Sequence, residues 1–209
     1  MDRIEWAATV AATIAAEIKK QRASQGLSAE ALSERCSDLG FPISRQIIAK
    51  VESGHRGALD VPELLVLADA LQVPPVALIF PPDREAFVRT APLVKKPVWD
   101  AAKWFCGEED PVHPPEDGST RATLDALRRH DRLLRIALMS HRISTERRQE
   151  AQLASPADYE AINRAAAQLE AVAQQDRSEL LAARQALRAR GVFPSPLPDS
   201  LAFIDPVTT

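Results

Sequence analysis

Residues 44 to 54, Ser-Arg-Gln-Ile-Ile-Ala-Lys-Val-Glu-Ser-Gly, carry the side chains in this 209-residue chain best suited to reading another molecule. They have the pattern of a short helix with polar side chains on one face and Ile48 and Val51 on the other. Arg45 and Lys50 suit the O6 and N7 acceptors of guanine, and Gln46 suits N6 and N7 of adenine. Glu52 and Gly54 stand at the end of the segment, where an anchor and a helix stop belong. A helix this small and this polar makes sense if its exposed face lies in a DNA groove.

Catalytic chemistry finds little support. The chain has no His-Glu-x-x-His pair, no Gly-x-Ser-x-Gly elbow and no Gly-x-x-x-x-Gly-Lys phosphate loop. Its 7 glycines leave little material for a nucleotide cradle. His113, His130 and His141 lack metal-ligand spacing with a second ligand. Cys36 and Cys106 are far apart, which argues against a disulfide framework and a zinc site. Cys36 reads as a small core residue. No catalytic residue, metal or cofactor is expected.

The elements that must position residues 44–54 are helical. Ala and Leu dominate and aromatic residues make up only 5% of the chain, a bias toward helices. No run approaches the ~18 apolar residues needed to span a bilayer, and the acidic N-terminus lacks a hydrophobic signal core. An intracellular, cytoplasmic protein is the natural reading. The net charge of −3 predicts weak non-specific affinity for DNA, but local clusters (Lys19, Lys20, Arg22; Arg45, Lys50, Arg56) still suit phosphates.

Four regions separate along the chain. Residues 1–82 read as five short helices. Trp6, Val10, Ile14 and Ile18 form the ladder of the first, Ser28 caps the second, Ser44 caps the third, and Asp60 caps the fourth ahead of Pro62. In the fourth, Leu64, Leu65, Leu67, Ala68 and Leu71 are expected inside. Residues 83–118 read as a connector, helical from Arg84 to Arg89, then Pro-rich and acidic. The connector includes Trp99, Trp104 and Phe105 as a docking segment, and residues 107–118 are expected to be flexible. Residues 119–191 read as an antiparallel helical hairpin. Leu124, Leu127, Leu134 and Leu138 form one seam. Ile162, Ala166, Leu169, Ala173, Leu180, Ala183 and Leu187 form the other, and a turn of two or three residues, capped at Ser155, joins the helices. Residues 192–209, with four prolines, are expected as a poorly ordered tail. The fold class expected is all-α.

Residues 14–80 resemble the Cro/C1-type (XRE) helix-turn-helix domain. The likeness rests on Arg22 to Ser28, Glu30 to Arg35, Ile48 to Gly54 and Leu64 to Val73, whose hydrophobic spacings and Glu-Ser-Gly terminus agree together. Leu39-Gly40-Phe41-Pro42-Ile43, Val73-Pro74-Pro75 and Trp104-Phe105-Cys106-Gly107-Glu108 are similar to elements of a group of actinobacterial regulators. The resemblance implies that the second helix braces on the phosphate backbone and the third enters the major groove. It implies base reading by Ser44, Arg45, Gln46 and Lys50, and phosphate contact by Ser28, His55 and Arg56. It also implies a buried ion pair between Arg22 and Glu52. Ala29 stands where the family often has a polar residue, and the turn before Ser44 is longer than usual.

The expectation is therefore a sequence-specific DNA-binding regulator, nucleoid-associated, more often a repressor than an activator. Its partners would be double-stranded DNA and a second copy bound through residues 119–191. The alternative is a protein-interaction module, or an antitoxin or mobile-element repressor, whose hairpin binds a partner protein. The Arg-rich face of the hairpin (Arg128, Arg129, Arg132, Arg135) is a further candidate for phosphate contact.

Overall fold

The computed structural model describes residues 2–56, 58–108 and 115–206. His113 and the centre of the acidic connector lie outside the described residues. The chain divides into two compact units, Met1–Glu109 and Asp110–Thr209.

Five helices build the core of the first unit: α1 (Arg3–Ser24), α2 (Ala29–Asp38), α3 (Arg45–Glu52), α4 (Val61–Ala70) and α5 (Pro75–Ile79). Each start follows from local chemistry. Asp2 accepts the Glu5 N–H, Ser28 accepts the Ala31 N–H and Ser44 accepts the Ile47 N–H, satisfying donors that a helix cannot pair internally. The helices close around Ile18, Leu32, Cys36, Ile43, Ile48, Val51, Leu67, Ala68, Leu71 and Leu78. Cys36 is fully buried, and burial pushes its thiol up from the ordinary value. Leu65 is a correction. It is 51% exposed, because Leu64, Leu67, Ala68 and Leu71 already complete one helical face and Leu65 falls on the other.

The connector differs from the sequence reading. In place of a helix from Arg84 to Arg89 there are two antiparallel strands, β1 (Phe87–Ala91) and β2 (Val94–Pro97), with Val88 opposite Lys96 and an irregularity between Arg89 and Ala91. The physical reason is in the residues. Phe87, Val88 and Thr90 favour extended backbone, and Pro92 cannot continue a helix through its missing N–H. The aromatic segment then forms α6 (Val98–Phe105). Val98 and Ala101 pack with Phe80, and the Phe80 and Phe105 rings meet edge to face at 5.9 Å. The indole N–H of Trp6 donates to the Arg89 carbonyl at 3.2 Å, joining α1 to β1. The expected helical fold is present, with this ribbon added.

The second unit is built on α7 (Thr120–Leu153) and α8 (Tyr159–Ala189), which pack as a hairpin. Ser119 caps α7 by accepting the Ala122 N–H. The link between the helices is longer than expected. Residues 154–158 form it, with the Ser155 carbonyl accepting the N–H groups of Asp158 and Tyr159, so α8 begins after the Ser-Pro-Ala-Asp sequence. The seam also differs on the α7 side. Its buried residues are Ala122, His130, Ala137, Ser144 and Ala151, whereas Leu124 is 37% exposed. On α8, Ala166, Ala173, Leu180 and Leu187 are buried at heptad spacing. Small residues facing each other let the helices approach closely and push the leucines of α7 to the flanks.

Those flanking leucines explain the tail. Leu197, Leu201 and Ile204 pack on Leu133, Leu134, Leu138, Ala137 and Leu180, and residues Asp199–Ile204 form a 3-10 helix. Leu201 is fully buried. The expectation of a loose tail is thus corrected for residues 195–206. Arg184, 1% exposed on α8, donates to Asp205, to the Ser195 carbonyl and to Nε2 of His130. Arg188 adds two bonds to Asp205. These cations hold the Asp205 carboxyl below its usual range, hydrogen bonds from Arg188 and then Arg184 being the main cause.

Candidate nucleic-acid interface

The candidate interface is assembled by seating α3 on the other helices of the first unit. Ile48 and Val51 enter the core at 1% and 3% exposure, and Ile47 packs partly against it. Ser44, Arg45, Gln46, Ala49 and Lys50 are all exposed along the outer face. The side chains of Arg45, Gln46 and Lys50 have no hydrogen-bond or ion-pair partner among the described residues. Three donor-bearing side chains are thereby displayed without internal competition.

Two contacts set the pose of α3. The first is the Arg22–Glu52 pair, doubly bonded at 2.6 Å (Nε to Oε1) and 2.7 Å (Nη2 to Oε2). The remaining Arg22 nitrogen, Nη1, donates to the Leu27 carbonyl at 2.6 Å, so one guanidinium ties the end of α1, the loop before α2 and the end of α3. Its hydrogen bond to Glu52 raises the Arg22 pKa further above an already high value. The second contact lies in the long turn before α3. The Ser33 hydroxyl donates to the Ile43 carbonyl at 2.7 Å, and Ile43 is 2% exposed. Gly40 takes the left-handed conformation (φ 81°) that the turn needs after α2. The extra length of this turn is pinned at both its polar and its apolar atoms.

The three expected phosphate groups part company. Ser28 is exposed at the N-terminus of α2, where backbone N–H groups of the first turn face outward. His55 is also exposed, its Nδ1 at 2.8 Å from the Ser53 hydroxyl. Arg56 is engaged. Its guanidinium pairs with Glu63 at 2.7 Å, while the other Glu63 oxygen accepts the Asp60 N–H at the start of α4. Its backbone N–H reaches the Lys50 carbonyl. Arg56 therefore fastens the loop after α3 to α4.

Sequence reasoning missed a polar clasp behind this surface. Gln25 donates to the Leu71 carbonyl at 2.6 Å, and Arg35 donates to the Ala70 carbonyl at 3.1 Å and to Gln25 Oε1 at 3.2 Å. α4 has no basic residue in its last turn, so cations and amides from α1 and α2 satisfy its terminal carbonyls. The short-range pattern carries no signal for this, because Arg35 and Ala70 are 35 residues apart.

Residues 18–78 match the family model described as helix-turn-helix. They are a Cro/C1-type helix-turn-helix domain of the XRE family. The domain, 61 of the 209 residues, supports a DNA-binding transcription regulator of the XRE kind. It begins inside α1 at Ile18 and ends at Leu78 in α5, so the N-terminal part of α1, the β1–β2 ribbon, α6 and the whole second unit lie outside it. No curated protein and no solved structure matches the chain. Among the described residues no helix is long and apolar enough to cross a membrane.

Proposed function

We propose that the protein is a sequence-specific repressor that acts as a dimer on an operator, working in the cytoplasm on the nucleoid. The observation that carries this reading is the unpartnered row of Arg45, Gln46 and Lys50 on a helix held at both ends. Ser44 and these three side chains read base edges in the major groove, each good bidentate pair contributing about 1–3 kcal/mol of discrimination. Ser28 and His55 position the domain on phosphates. Arg56 contributes to the backbone contact only through its charge while it remains paired to Glu63. Occupancy of the operator blocks transcription, and dimerisation through the second unit places two recognition helices about 34–36 Å apart on a palindromic site.

The test is selection of random duplexes on the purified full chain. An enriched palindromic motif is the expected result, and failure to enrich any motif even at low salt would overturn the operator reading.

A second reading has one observation in its favour. Trp99, Trp104 and Phe105 on α6 remain 65%, 41% and 50% exposed, an apolar surface suited to a protein partner. In that reading the chain is an interaction module, or an antitoxin or mobile-element repressor, and DNA binding is secondary. A co-purifying toxin-sized protein lost on Trp99→Ala would favour it over the first.

A further inference from the structure

Within the second unit the α7–α8 hairpin has two broad faces, and among the described residues of that unit the tail covers one of them. On the first, Leu197, Leu201 and Ile204 of the tail lie over Leu133, Leu134 and Leu138. On the other lies a shallow trough formed by Ile136, Met139 and Ile143 of α7 with Leu169 and Val172 of α8. The spacing of the α7 residues, three and then four, keeps them on one side of the helix. Ile136, Met139, Ile143 and Val172 are 48%, 52%, 38% and 54% exposed. Scattered apolar residues on a surface need no explanation, but a contiguous trough shared by two helices does.

We propose that this trough is the surface on which a second copy of the chain packs, the two hairpins forming a four-helix bundle. The inference rests on the dimeric part of the reading above and names the face that carries it. The occupant is argued from charge. Arg135 and Asp176 line one end of the trough, and neither has an ion-pair partner among the described residues. Glu146 and Arg147 stand at the other end. Within one copy they pair with Arg142 at 3.8 Å and with Glu150 at 2.5 Å, both pairs on the exposed surface of α7 and open to exchange for a partner on a second copy. When a second copy is laid across the trough about a two-fold axis with its hairpin reversed, each end meets the opposite end of its partner. Arg135 then faces Glu146 of the second copy, and Asp176 faces Arg147 of the second copy. Each residue of the trough is used twice, as an isologous interface requires. Toward the turn between the helices the seam is made of small residues, Ala137, Ser144 and Ala151 of α7 with Ala166 and Ala173 of α8, which agrees with this arrangement. Such a seam buries little apolar area within one copy and leaves the larger side chains for the next layer.

The experiment is the mass of the full chain in solution, by sedimentation equilibrium over a wide concentration range. The wild type is expected at twice its 22.9 kDa protomer mass. The double variant Ile143→Glu, Val172→Glu places four carboxylates in the bundle and is expected to raise the dimer dissociation constant by at least about a hundredfold. Both positions are exposed in the protomer, so helicity by circular dichroism should be unchanged. Should that variant lose helicity, a charge swap replaces it. Asp176→Arg alone is expected to weaken the dimer, and adding Arg147→Asp to restore it. Within one protomer residues 147 and 176 stand at opposite ends of the trough, so the rescue reports a contact between two copies. A wild-type monomer at all concentrations would overturn this surface and the dimeric reading together. A dimer indifferent to the double variant and to the swap would overturn the surface alone. Operator selection on the same preparations reports separately on DNA reading.

Discussion

Arg22 and Arg45 are chemically identical side chains in one small domain, and their surroundings give them opposite tasks. Arg22 spends its guanidinium on Glu52 and the Leu27 carbonyl, with only 16% of its side chain exposed. Replacing it with Met strands Glu52, at a cost expected near 3 kcal/mol, the lower end of the range for breaking a nearly buried pair. Denaturant unfolding of Arg22→Met measures this, and adding Glu52→Leu should recover part of the loss because no unpaired charge remains. Arg45 has no such partner and should behave differently. Arg45→Ala is expected to leave the unfolding midpoint within about 0.5 kcal/mol of wild type, as surface substitutions do. It should weaken binding to a selected operator far more than to random duplex, as measured by fluorescence anisotropy; equal loss on both would make Arg45 a phosphate contact. Residue identity alone separates these roles poorly. Arg56 shows why, since its charge suits phosphate in the sequence but Glu63, seven residues on, already holds it.

At the scale of elements, the helix starts were the most legible feature. Ser28 and Ser44 each cap the helix expected of them, because a cap is a contact between residues three apart. Ser28→Ala should therefore cost about 1 kcal/mol of stability, besides any effect on DNA. The tail was illegible for the opposite reason. Four prolines and a weak pattern read as disorder, yet Leu201 packs against Leu180 of α8 and against Ala137 of α7, which lies far away in sequence. Its latch, Asp205, has a carboxyl pKa lower in the folded chain than in the unfolded one. The latch stabilises fully above the ordinary aspartate value of about 3.9, and its contribution is lost as pH falls from there through the lowered value. The protection of the amides of residues 197–205, relative to the intrinsic exchange rate at each pH, should stay high near neutrality and fall selectively below about pH 4. Asp205→Asn should show fast exchange already at pH 7. If the two proteins exchange alike at pH 7, Asp205 is not the latch.

For the whole molecule, the division of labour follows from which parts have free donors and which have free apolar faces. The helix-turn-helix domain displays unpaired Arg45, Gln46 and Lys50, while the second unit displays the trough of Ile136, Met139, Ile143 and Val172. A regulator whose two copies are held by the second unit should lose co-operative binding to a palindrome when that trough is charged, while a single half-site is bound as before. Binding of the Ile143→Glu, Val172→Glu variant to full and half operators checks this. Because the net charge is −3, non-specific affinity should be weak and should fall with salt at a modest slope, set by the few phosphate contacts each domain makes.

The sequence by itself determined the helical domain, its caps, its core face and the polar outer face of α3. All of these depend on spacings of three to seven residues, which a linear pattern displays directly. Only the tertiary structure decided that Phe87 to Pro97 is a ribbon fastened to Trp6, that Arg56 belongs to Glu63, and that alanines rather than leucines line the α7 side of the hairpin seam. Only it placed Arg184 in the interior, where His130, 54 residues away, and Asp205 satisfy it. Each of these depends on a partner brought close by the fold, and a charge or a methyl group carries no mark of which distant neighbour will claim it.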